Sequence, residues 1–104
     1  MIEHIRNKYL NSLTQIVVLN KNGQVIQTDN QLFAFPLESL LEDFHPFFYI
    51  IPSLLEDDNQ ETVFSGVHID YLETKMVLDV IVNSGSETSN PFVILIDFSS
   101  YYKN

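Results

Sequence analysis

The chain predicts an α+β fold: a five-stranded antiparallel sheet with short helices on one face and an N-terminal helix flanking it. Three observations carry this. Five short runs have the alternation or β-branched content of strands. The first two runs bracket Asn22-Gly23, a pair that tolerates the positive φ of a hairpin turn. The stretch between the second and third runs instead holds Pro36, Pro46 and Pro52 among Phe and Leu, with no period of two.

Each element follows in order. Ile2, Ile5, Tyr9 and Leu13 recur at spacings of three and four, so residues 2–13 predict a short helix with one apolar stripe. Too short to be stable alone, it must pack on something. Ile16-Val17-Val18-Leu19 and Gln24-Val25-Ile26-Gln27-Thr28 form the hairpin. Asp29 or Asn30 is placed to cap a short helix through Leu32, Phe33 and Phe35, which Pro36 closes. Leu37, Leu40 and Leu41 share the face of a second turn. Phe44 to Leu55 reads as a helix buried on most sides, opened by Pro46 and ended or kinked at Pro52. The acidic run 56–61 is a solvated turn. Strands follow from Val63 to Leu72, with Gly66 marking a bulge or a close backbone approach, and from Met76 to Val82, with a turn at Glu73-Thr74 between them. After the loop 84–91 comes Phe92 to Phe98, apolar on both faces and therefore central in the sheet.

The 104 residues suit one domain, and 45% hydrophobic content with 8 Phe and 5 Tyr can fill a core without staples. With no Cys, disulfides, thiolate metal sites and cysteine nucleophiles are excluded. Net charge is −9, and no Lys or Arg occurs from Asn22 to Thr74. Nucleic acid and anionic lipid both need clustered bases, so neither is an expected partner. No run approaches the ~20 apolar residues of a membrane helix, and the first residues mix charges, unlike a signal peptide. The expectation is a cytoplasmic chain without membrane insertion.

The layout resembles a PAS domain over about residues 14–100. Ile16 to Ile26 looks like the family's opening pair of strands, and Asp29-Asn30-Gln31-Leu32-Phe33 like its first short helix. Leu78 to Val82 looks like the penultimate strand. Phe92 to Ser99 looks like the last, with Asp97-Phe98-Ser99 where the family typically reads Asp-Ile-Thr. No single motif is specific; the order of several weak matches carries the likeness. The middle helices are abbreviated, which argues against a roomy cofactor pocket. The resemblance implies a sensory module that binds a small ligand between sheet and helices or simply dimerises. Such modules sit upstream of an output domain such as a histidine kinase. On this reading residues 1–13 are a flanking helix, 14–100 the sensory domain and 101–104 the start of an output linker, the whole being a fragment of a bacterial signalling protein.

The ligand-pocket candidates are Phe33, Phe35, Phe44, His45, Phe48, Ile51, Leu78 and Val80, an apolar set suited to a small apolar ligand. The plainer reading is that they are core. The resemblance singles out His45 as the position for an axial haem ligand. No cofactor is evident, however: a lone His is an unspecific signal, and nothing marks a non-covalent flavin. Ile2, Ile5, Tyr9 and Leu13 are the candidates for a homodimer interface. No metal set has ligand spacing, and 3 Gly cannot build a phosphate loop. Asp79 and Asp97 lie inside apolar strands, where an isomerase could keep a raised-pKa base. Against that, Asp79 reads as facing outward and Asp97 as marking a strand end. The expected function is sensing and relay rather than catalysis. The alternatives are a stand-alone small-molecule binding protein and a small isomerase-like enzyme.

Overall fold

A computed structural model describes residues 13–99. Five strands, β1 (Thr14–Leu19), β2 (Val25–Thr28), β3 (Glu61–Tyr71), β4 (Thr74–Asn83) and β5 (Phe92–Asp97), form one antiparallel sheet in the order β2-β1-β5-β4-β3. The architecture is α+β. As the apolar pattern of Phe92–Phe98 predicted, β5 is central, hydrogen-bonded to β1 on one side and β4 on the other.

The first hairpin turns at Asn20–Gly23. Asn20 N bonds Gln24 O at 2.9 Å and Gly23 N bonds Asn20 O at 3.0 Å. Of the Asn22-Gly23 pair only Gly23 takes a positive φ, 84°. The turn is thus the longer form ending in a left-handed glycine, and a register shift follows at Val18/Leu19. The second bulge lies where expected. The β3–β4 register shifts between Phe64 and Val67, Gly66 has φ 66°, and Asp79 Oδ1 accepts its N–H at 3.0 Å.

The middle segment departs from expectation. Residues 29–35 are not helical. The backbone N–H groups of Leu32 and Phe33 that a helix would use are taken by the Gln15 side chain, both at 2.7 Å. The 44–55 helix is a 3-10 turn, Pro46–Ile50, running into one α turn, α1 (Ile51–Leu54), after a separate 3-10 turn at Leu41–Asp43. Pro52 is not at the end of this stretch: it sits in the first turn of α1, where no backbone donor is lost.

These segments cover one sheet face. Val17, Leu19, Val25, Ile69, Leu78, Val80, Val82, Val93 and Leu95 meet Phe33, Phe35, Leu41, Phe48, Ile51 and Leu55 in a single core.

The β3–β4 turn is one residue earlier than the chain suggested. Leu72 and Glu73 both have positive φ, 49° and 67°. This is left-handed backbone that Asn-Gly adopts readily and a side-chained Leu-Glu pair does not. Leu72 is also 80% exposed, so its side chain returns little burial. Replacing the pair by Asn-Gly is expected to raise stability by about 0.5–1 kcal/mol, read from the urea midpoint. No gain would mean that the tip relaxes in solution.

Candidate functional site

On the core side the aromatic residues pack ring to ring. Phe33 lies 5.2 Å from Phe44 and 5.0 Å from Tyr71, centroid to centroid, and Phe35 lies 4.6 Å from Phe44. Phe47 bridges Phe48 and Phe64, each at 5.3 Å. Edge-to-face contacts at these distances fill space and add specific attraction. Of the pocket candidates, Phe33, Phe48, Ile51, Leu78 and Val80 are buried in the core. Phe35 belongs to the same core and, with the half-buried Phe44, borders a groove of about 200 Å³ shared with Pro36, Ser39, Leu40 and Asp43. A drug-sized ligand or cofactor takes roughly 300–1,000 Å³, so this groove suits one side chain rather than a cofactor.

His45 has a local task. It stands at the N-terminus of the Pro46–Ile50 turn, and its Nδ1 accepts the Phe47 N–H at 3.0 Å. One ring nitrogen is therefore engaged in capping. His68 is exposed on β3 opposite Val77. Among the described residues no group of three or more His, Asp or Glu could hold a metal ion, and no helix is long and apolar enough to cross a membrane.

The two strand carboxylates face opposite sides of the sheet. Asp79 pairs with Ile96 and Asp97 with Leu78, one register position apart. Asp79 holds the Gly66 bulge, and Asp97 Oδ1 accepts from both the N–H and hydroxyl of Ser99. Ser99 Oγ in turn accepts the Val77 N–H at 2.9 Å, and Phe98 N donates to Val77 O at 2.9 Å. This clasp fastens the exit of β5 to β4.

The face opposite the core is apolar along one line. The register aligns Ile16 of β1, Ile94 of β5, Ile81 of β4 and Val63 of β3 in a row across four strands. Its ends are open, with Ile16 47% and Val63 58% exposed. Phe92 beside Val18, and Ile96 beside Thr14, flank the row. A depression of about 210 Å³ lined by Ile16, Val18, Gln27, Thr28 and Asp29 lies at its β1–β2 end. Leu13, exposed at the mouth of β1, is tied to the same strands through its carbonyl, which accepts Asp97 N at 2.9 Å. Ile2, Ile5 and Tyr9, with their expected helix, and the 101–104 linker lie outside the described residues. The single-residue candidates missed this row because it exists only once register is set; the two-sided apolar pattern of β5 was its one trace in the chain.

No family model, no curated protein and no solved structure matches this chain.

Proposed function

We propose that the chain is a PAS-like sensory and dimerisation module of a bacterial signalling protein, acting by relay rather than chemistry. The observation that carries this reading is the Ile16–Ile94–Ile81–Val63 row on the outer face of the sheet. An apolar line across four strands, open at both ends, is an association surface rather than a solvated one. The layout supports the family part of the reading. An opening hairpin, helical turns across one face and a central closing strand ending in Asp97-Phe98-Ser99 are what the resemblance implies.

The relay runs through β5. Val93 and Leu95 point into the core, while Phe92, Ile94 and Ile96 point to the outer face, and the strand's exit is clasped at Asp97, Ser99 and Val77. A change in the packed aromatic layer that moved β5 would therefore reach both the outer face and the segment after Ser99. The expected partner on the outer face is a second copy, with the stripe of residues 2–13 contributing to the contact.

Size-exclusion with light scattering tests this. The unaltered chain is expected to be dimeric, and Ile16→Lys and Val63→Lys, at the exposed ends of the row, are expected to shift it to monomer with an unchanged far-UV spectrum. A wild-type monomer at high concentration would count against the dimer. A dimer indifferent to both lysines would move the interface elsewhere.

A further inference from the structure

We propose that the groove on the helical face, away from the sheet surface assigned to self-association, is a docking site for a short peptide. That peptide would carry one apolar anchor beside basic residues. Phe35 and Phe44 supply an apolar floor, Pro36 and Leu40 border it, and Asp43 stands exposed at its edge. The volume of about 200 Å³ fits one large aliphatic or aromatic side chain and is too small for a cofactor-sized ligand.

Charge selects the neighbours of that anchor. Residues 13–99 contain 13 carboxylates and only two cations, Lys21 and Lys75. Lys21 is paired with Asp58 at 2.9 Å, and Lys75 lies across the β3–β4 ladder opposite Asp70. The segment that forms the groove, 35–44, carries Glu38, Glu42 and Asp43, and no side chain of the described residues donates to any of these carboxylates. Leu37, 64% exposed, adds apolar surface in the same segment. An apolar slot edged by Asp43, in a segment that carries Glu38 and Glu42 as well, complements a Lys or Arg flanking a Leu or Phe, and it repels acidic segments. Nucleic acid and anionic lipid, which also lack positive charge, are excluded by the same field.

The test is a titration of the ¹⁵N-labelled chain with acetyl-Ser-Lys-Leu-Arg-Ser-amide, followed by amide chemical shifts. Saturable shifts are expected at Ser39, Leu40, Asp43 and Phe44, weakening as salt shortens the screening length to about 10 Å at 0.1 M. Asp43→Lys, a surface change that spares the core, is expected to weaken binding at least about tenfold, because like charges then face each other. A peptide with Gly for Leu, or Glu for both bases, is expected to give no saturable shift at these amides. The proposal is overturned if the basic peptide shifts none of them saturably, if the Glu peptide binds equally, or if Asp43→Lys changes nothing. It is also overturned if these amides shift with protein concentration alone, which would assign the groove to a second copy.

Discussion

Phe33→Ala is expected to lower the free energy of unfolding by about 3–5 kcal/mol, the range for removing a fully buried aromatic ring. Phe33 is 1% exposed, and its ring contacts those of Phe35, Phe44 and Tyr71. It therefore ties the irregular 29–35 segment, the helical turns and the end of β3 together. The main chain at this position is held by Gln15, so it does not move in to close the void. Domains of this size have roughly 5–15 kcal/mol in total, so the loss is a large fraction of it. At about 4–8 °C per kcal/mol, the melting temperature should fall by at least about 12 °C. A fall of a few degrees would mean that the aromatic layer repacks, and would revive the case for an adaptable ligand cavity there.

Gln15→Leu is expected to cost about 2–4 kcal/mol although it buries more apolar surface, since each unpaired buried backbone group costs roughly 1–3 kcal/mol. Gln15 is 0% exposed and points into the core from β1. Its Oε1 accepts from Leu32 N and Phe33 N at 2.7 Å; its Nε2 donates to Phe33 O and Thr28 Oγ1 at 2.9 Å. Leucine is close in volume, so no cavity forms, and the loss isolates the hydrogen bonds. Gln15→Asn should cost nearly as much despite identical chemistry, because one methylene less cannot span from β1 to the 32–33 backbone. Urea midpoints give the energies. Hydrogen exchange gives the location: protection at Leu32 and Phe33 should fall more than in β4. If Gln15→Leu matched the unaltered chain, the 29–35 segment would be held by Phe33 and Phe35 packing alone.

The same residue explains where the chain misled. Asn30, Leu32 and Phe33 have the cap and spacing of a short helix, and local preference favours one. A side chain 17 positions upstream supplies the hydrogen bonds instead, and no local pattern encodes that. The strands were readable because alternation is local and the sheet obeys it. Gly66 was readable as a bulge or a close backbone approach because few residues accept its φ. The pocket candidates share the limit of the helix. Apolar character is visible in the chain, but whether seven apolar positions and His45 enclose space or fill it depends on how their side chains meet.

Composition and patterning alone determined the α+β class, the central last strand, the special backbone at Gly66, the lack of any thiol, and the stretch from Asn22 to Thr74 without Lys or Arg. Each rests on residue type or on a period that one strand reveals by itself. Only the tertiary structure decided that Phe33, Phe35, Phe48, Ile51, Leu78 and Val80 pack as core, that Phe35 and Phe44 edge a groove beside Asp43, and that Ile16, Ile94, Ile81 and Val63 form one line. These are relations between residues up to 78 positions apart, from Ile16 to Ile94. Strand pairing and ring packing create them, and neither is written in any one segment.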